Sequence, residues 1–264
     1  TPFSKTCNVV LVFEPKEGIE VYAYEKACRL AGLKAAMYLA KCVHEAGVTP
    51  DKTETFEIPP FARSMKEFPG LPKVAYLYML QTQGLLHDTY VYGVDAKRIL
   101  PTIIHPNETM DGAIVSGNCV SACDKNSTYV HQNNPVIRSL YERHGKDINF
   151  VGVIITNENV TLADKRRSSS FAVKIAKMFG VDGVVISEEG FGNPDADLIM
   201  NCRRAEKAGV KTVLITDEYA GRDGASQSLA DAAQEADAVV TAGNANMIID
   251  LSPMEKVIGF TEYV

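Results

Sequence analysis

The chain has 264 residues, with 46% hydrophobic and 23% charged positions, 19 glycines and 12 prolines, a composition that excludes disordered, collagen-like and peptide-sized scaffolds. Its 27 Lys and Arg against 33 Asp and Glu give a net charge of −6, so no global positive field draws nucleic acid. No apolar run reaches the roughly 18 to 20 residues that span a bilayer, and the first residues lack a secretory pattern, so the expectation is a cytoplasmic protein without membrane or nucleic-acid partners.

In chain order, residues 8–13 (NVVLVF) read as a buried strand. Residues 19–45 carry a helical apolar pattern through Tyr24, Cys28, Ala31, Ala35 and Leu39, which Gly32 is expected to bend or split. The Pro-rich and charged stretch 49–72 reads as a connection, 73–80 (KVAYLYML) as a second buried strand, and 113–116 (AIVS) as a short strand that stops at Gly117-Asn118-Cys119.

The second half alternates apolar runs with helical segments. Strands are expected at 149–156 (NFVGVIIT), 183–187 (GVVIS), 211–216 (KTVLIT) and 238–242 (AVVTA), nearly continuous in apolar residues as parallel strands covered on both faces are. Helices are expected over 161–179, capped by Thr161 and Asp164 and stopped by Gly180; from Asn193-Pro194 to Gly209; and over 226–235. The fold class is therefore α/β with parallel, Rossmann-like, doubly wound sheets in two lobes: 1–123, a connection over 124–147, and 148–264.

Ligands of such sheets bind at the carboxyl ends of the strands. The loops there hold Asn157, Glu158 and Asn159, then Ser187, Glu188 and Glu189, then Asp217, Glu218, Tyr219, Arg222 and Asp223. Converging carboxylates suit an ammonium or iminium ligand; ordinary solvated caps and turns are the competing reading. Glu188-Glu189 stands out because adjacent like charges raise one pKa and set an acid beside a base. Gly190-Phe191-Gly192 lacks the spacing of a dinucleotide or phosphate loop and reads as a turn. Six scattered cysteines read as reduced thiols. Cys119, Cys123 and His131 offer zinc-type donors without the paired C-x2-C halves, and no H-E-x-x-H occurs, so no metal is expected.

Ser116-Gly117-Asn118-Cys119 is the most unusual local sequence. Gly117 and Asn118 tolerate backbone angles that other residues resist, and Cys119 sets a nucleophile beside the preceding carbonyl. Such a bond can cleave itself. Attack of the Cys119 thiol on the Asn118 carbonyl, β-elimination and hydrolysis would leave a pyruvoyl group; a turn with a buried cysteine is the plainer alternative.

The segments YVYGVDAKRILPT (90–102), MDGAIVSGNCVSACDKN (110–126), TNENVTLADK (156–165), VISEEGFGNPDADLIMNC (185–202) and ITDEYAGRDGASQSLAD (215–231), with TPFSKT at the start and LYMLQTQGLLHDTY (77–90), closely resemble the pyruvoyl-forming proprotein subunit of protein B in the clostridial glycine, sarcosine and betaine reductases. The likeness covers essentially the whole chain, and a start at Thr1 rather than Met fits the interior of a longer precursor. The resemblance implies a substrate-activating subunit whose precursor splits at Asn118-Cys119, with Cys119 becoming the pyruvoyl cofactor. It also implies a selenocysteine-containing partner subunit, a downstream carrier selenoprotein, and a small amine substrate that forms a Schiff base and loses its nitrogen reductively; an oligomer is expected. Glycine or sarcosine fits this chemistry more naturally than betaine, which has no N–H. Glu188, Glu189, Asp217 and Glu218 are candidates for stabilising the iminium or moving protons, and Arg222 for holding the substrate carboxylate. An unprocessed, non-catalytic binding subunit and a pyruvoyl-dependent decarboxylase are the alternatives.

Overall fold

The computed structural model describes residues 5–14, 16–82, 89–116, 126–189, 192–218 and 231–244. In chain order the elements are α1 (Val21–Glu45), α2 (Phe61–Glu67), β1 (Lys73–Leu80), β2 (Thr89–Val91), β3 (Val94–Asp95), a 3-10 turn (Ala96–Arg98), β4 (Thr102–Ile104), α3 (Pro106–Met110), β5 (Ile114–Ser116), α4 (Thr128–Gln132), α5 (Pro135–Arg143), β6 (Asn149–Asn157), α6 (Leu162–Met178), β7 (Gly183–Ser187), α7 (Asn193–Lys207), β8 (Lys211–Glu218) and β9 (Val239–Asn244).

The apolar runs of the second half form a six-stranded sheet in the order β4-β6-β1-β7-β8-β9. Its strands run parallel, except for edge strand β4, which is antiparallel to β6. A small antiparallel sheet, β3-β2-β5, stands beside it. β1 lies between β6 and β7, so residues from both sides of the expected 124–147 connection share one sheet, and that stretch itself carries α4 and α5.

Strand β1 shows why the chain folds this way. Its period of two sends Ala75, Leu77 and Met79 into one core with Ala172, Val173, Leu198, Ile199 and Cys202 of α6 and α7, while Tyr76, Tyr78 and Leu80 enter a second core with Ile114, Ile137 and Leu140. Burying each such aliphatic side chain contributes about 1.5–3 kcal/mol. Helix α6 begins where Thr161 accepts the N–H of Asp164, and α7 begins with Pro194 in its first turn behind a Gly192 at φ 81°, so the cap is Gly192 rather than Asn193.

Several expectations are corrected. Residues 8–13 pair with no strand, and Val10 and Val12 are exposed by 82% and 88%; apolar β-branched sequence makes a strand only where a sheet edge receives it. Helix α1 runs unbroken through Gly32 for 25 residues because a single glycine costs only about 1 kcal/mol in a long helix. Stretch 49–72 contains α2. Of the expected helix over 226–235, residues 231–235 are non-helical and the rest lies outside the described residues. The elements β2 to β4 and α3 to α5 are too short for periodicity to announce them.

One glycine is required by packing. Register slips between Val74 and Ala75 where β6 carries an extra residue, and Gly152 sits at φ 155° in that bulge. A Cβ there would lie 2.7 Å from Phe61 Cε1 and 3.1 Å from Ile103 Cδ1. The bulge turns Val153 and Ile155 toward the second core, where Phe150 already points. Gly152→Ala is expected to lower stability by roughly 2–4 kcal/mol through clash and backbone strain, read as a shifted denaturant midpoint; an unchanged midpoint would contradict this packing.

Candidate functional site

Strands β1, β6, β7 and β8 run parallel and therefore end on one side, bringing Gln81 and Thr82, Asn157 to Asn159, Ser187 to Glu189 and Thr216 to Glu218 to one edge of the sheet. The edge is knotted by buried carboxyls. The Glu158 N–H donates to the Leu80 carbonyl at 3.0 Å, the Glu189 N–H donates to Glu158 Oε1 at 2.7 Å, and the Gln81 N–H donates to Glu189 Oε2 at 2.8 Å. The Thr82 hydroxyl donates to the Glu158 carbonyl, and the Thr216 hydroxyl to Glu188 Oε1. Glu158 and Glu189 are 0% and 1% exposed. Burial, then the charge of Glu189, pushes the Glu158 carboxyl well above the usual carboxylate range.

A second network joins this corner from beneath. Tyr76 and Tyr78 stack with ring centroids 4.9 Å apart, and their hydroxyls need partners because no water reaches them. Tyr76 meets the Ser187 hydroxyl at 2.5 Å and accepts from Asn134 Nδ2 at 3.5 Å. Tyr78 meets His131 Nδ1 at 2.7 Å and accepts from Asn126 Nδ2 at 3.1 Å. On the far side of the imidazole, His131 Nε2 lies 2.8 Å from Ser116 Oγ and 3.8 Å from Glu189 Oε1.

Donor counting assigns the protons. The Ser116 hydroxyl has one hydrogen and gives it to the Asn126 carbonyl, which can only accept. Its oxygen therefore accepts from His131, and Nε2 carries a hydrogen. The remaining choice lies at Nδ1, where either Tyr78 donates to a neutral imidazole or an imidazolium donates to Tyr78. Burial, with the Glu189 charge next, raises the Tyr78 pKa well above its ordinary value, so the phenol keeps its proton.

Lys165 of α6 and Asp197 of α7 form a buried ion pair beside the same corner. The ammonium also donates to the Asn193 carbonyl at 2.9 Å, and burial outweighs the Lys165 hydrogen bond so that Asp197 is pushed up to about 6.

Of the site residues read from sequence, Glu188 and Glu189 stand at this edge, one residue or two past β7. Asp217 and Glu218 close β8 by their backbone. Gly117, Asn118, Cys119 and Arg222 lie outside the described residues, as do Cys123, Tyr219 and Asp223. Among the described residues no cluster of three His, Cys, Asp or Glu is placed to hold a metal ion, and no helix is long and apolar enough to cross a membrane. Sequence reading weighed His131 only as a zinc donor and passed over Tyr76 and Tyr78. The available signal was two tyrosines two residues apart in a strand expected to be buried on both faces.

Ser116 and Asn126, hydrogen-bonded to each other and to this network, bracket the unusual segment 117–125. A family model described as glycine/sarcosine/betaine reductase component B subunits matches residues 1–264. The chain belongs to this family. It is 67% identical over 98% of its length to glycine reductase complex component B subunits alpha and beta of Acetoanaerobium sticklandii, covering 60% of that protein. It is 59% identical over its full length to sarcosine reductase complex component B subunit alpha of Peptoclostridium acidaminophilum, covering 61% of it. A distant relative, 22% identical over 72% of the chain and 31% of the relative, is the D-proline reductase proprotein PrdA of Acetoanaerobium sticklandii. The chain thus spans about 60% of the length of the curated component B relatives it matches. No solved structure is significantly similar to it.

The buried carboxyls give the chain a signed pH dependence. A Glu158 pKa raised in the folded state means that the native protein binds a proton the unfolded chain has released. Stability contributed by that proton is full below the ordinary glutamate range and is lost as pH rises toward the folded value. Asp197 acts in the same direction. Glu158→Gln is expected to flatten the fall in urea midpoint between about pH 5 and about pH 8; equal slopes in variant and parent would show that Glu158 is ionised in the fold.

Proposed function

We propose that this chain is the substrate-activating, self-cleaving part of component B in a glycine reductase-type complex, acting in the cytoplasm beside a selenocysteine-containing subunit and a carrier selenoprotein. Cleavage begins with the Cys119 thiol attacking the Asn118 carbonyl, which moves the acyl group from nitrogen to sulfur and needs a base for the thiol and an acid for the departing amine. Elimination removes the α-proton of residue 119 and breaks the Cβ–S bond, so that the first piece leaves as a thiocarboxylate, and hydrolysis of the dehydroalanine frees ammonia and leaves a pyruvoyl group at the new N-terminus.

The observation that carries this reading is the tether of Ser116 to Asn126. Ser116, before the segment holding Asn118 and Cys119, is hydrogen-bonded to the buried His131, and Asn126, after it, accepts from Ser116 and donates to Tyr78, with Glu189 Oε1 3.8 Å from the imidazole. His131 can take up a proton at Nδ1 and return it there without any change in its Ser116 contact. The same donors and acceptors fit a carbonyl group held at the carboxyl edge of the sheet. A pyruvoyl ketone there condenses with an amine substrate and turns nitrogen into a better leaving group for attack on the α-carbon by the partner's selenolate. The chain's own acidic edge, Glu188 and Glu189 with Asp217 and Glu218, attracts the cationic amine, and Arg222 is assigned to its carboxylate. Glycine or sarcosine is the substrate on this reading.

An intact mass spectrum tests it. Scaling 28.8 kDa by residue count, cleavage gives pieces of about 13 and 16 kDa, the larger beginning at position 119 and gaining mass on treatment with hydroxylamine. Cys119→Ala is expected to remain a single species of 28.8 kDa that ignores the reagent. If that variant still splits at the same bond, the nucleophile is wrong; a wild-type chain that stays whole and unreactive in its assembled complex would mark a binding subunit.

A further inference from the structure

We propose that the buried acceptor atoms of Gln81 and Glu158, two residues each hydrogen-bonded to Glu189, form a subsite for the ammonium group of a small amine. The proposal rests on the amine-activating reading above and gives that amine a place to bind before any covalent step.

Two oxygens carry it. Glu158 has no exposed surface; its Oε1 accepts the Glu189 N–H, and its Oε2 has no hydrogen-bond partner. Gln81 is 9% exposed; its N–H is spent on Glu189 Oε2, and its side-chain Oε1 also has no partner. Buried polar atoms in native interiors are almost always hydrogen-bonded, and leaving one unmet costs about 1–3 kcal/mol. Here two stand at the ends of adjacent parallel strands, since Leu80 pairs with Asn157 in register and each residue in question comes directly after. That edge is where ligands of such sheets bind.

The chemistry of the missing group follows from what the corner offers. Gln81 Oε1 can only accept, and Glu158 Oε2 accepts once its carboxyl has given up its proton, so a ligand that meets both as acceptors brings at least two donors. Glu188, Glu189 and Asp197 face Glu158 with negative charge, Lys165 is committed to Asp197 and Asn193, and His131 is held between Tyr78 and Ser116. A carboxylate or phosphate brings acceptors and repulsion. A primary or secondary ammonium brings two or three donors, no acceptor and a positive charge. Glu158 is protonated while no cation is near and ionises when one arrives, so binding releases a proton to solvent and leaves a carboxylate paired with the ammonium.

The test uses the full chain carrying Cys119→Ala, which lacks the sulfur nucleophile and therefore any carbonyl chemistry, with methylammonium, acetate and potassium as probes followed by NMR. Methylammonium is expected to bind saturably, acetate not at all, and potassium at least tenfold more weakly than methylammonium. Glu158→Gln and Gln81→Leu in the same background are each expected to weaken methylammonium at least tenfold, with thermal unfolding reporting that each variant is folded. Calorimetry of the Cys119→Ala chain in two buffers of different ionisation enthalpy reads the released proton without further substitution. Methylammonium binding that ignores both substitutions, acetate or potassium binding as well as methylammonium, or no saturable methylammonium binding overturns the subsite. Saturable methylammonium binding together with a wild-type chain that forms no carbonyl group would instead overturn the pyruvoyl reading and leave the subsite standing.

Discussion

The structure depends on keeping ionisable groups inside a dry sheet edge. Glu158, Glu189 and His131 have almost no water contact, and an isolated charge in such a place costs several kcal/mol unless it is neutralised, paired or hydrogen-bonded. Each is handled differently. Glu158 keeps its proton, Glu189 collects the N–H of Gln81 and the nearby imidazole, and His131 is clamped on both nitrogens. The arrangement spends the polar capacity of four strands and a loop on one corner, and a purely structural core would be filled more simply by apolar side chains.

The parallel sheet supplies the geometry. Strands β1, β6 and β7 end side by side, so the residues that follow them come within hydrogen-bonding reach although they are about 30 to 110 positions apart in sequence. Helices α6 and α7 brace that edge through Lys165 and Asp197. The same strand β1 that fills two cores with Leu77 and Ile-rich neighbours also delivers Tyr76 and Tyr78 to the polar network, linking packing to chemistry within eight residues.

The long apolar strands 73–80, 149–156 and 183–187 were legible in sequence because parallel strands buried on both faces leave a continuous β-branched and aromatic run. Helices over 162–178 and 193–207 were legible through their caps. Of the short elements between 89 and 143 only β5 was legible, as 113–116; the others were not, since two to nine residues hold too few turns or alternations to show a period. For the site, the strand-end loops led to Glu188 and Glu189, which stand at the buried edge. His131 escaped because a histidine's partners come from the fold: its contacts lie 15, 53 and 58 residues away. Residues 8–13 and the expected strand there show the converse error, in which composition suits a strand and no pairing partner receives it.

The chain belongs to the component B family, and the hydrogen bonds of Ser116 and Asn126 join the residues that flank 117–125 to the network of the buried histidine. The most direct measurement is the cleavage rate of freshly synthesised chain as a function of pH, for the parent and for His131→Gln, with circular dichroism confirming that both are folded. The account predicts a rate in the parent that follows one ionisation, and in the variant a rate at least tenfold lower whose dependence on that ionisation is gone. Equal rates with the same pH profile would contradict it and leave the buried network a structural feature alone.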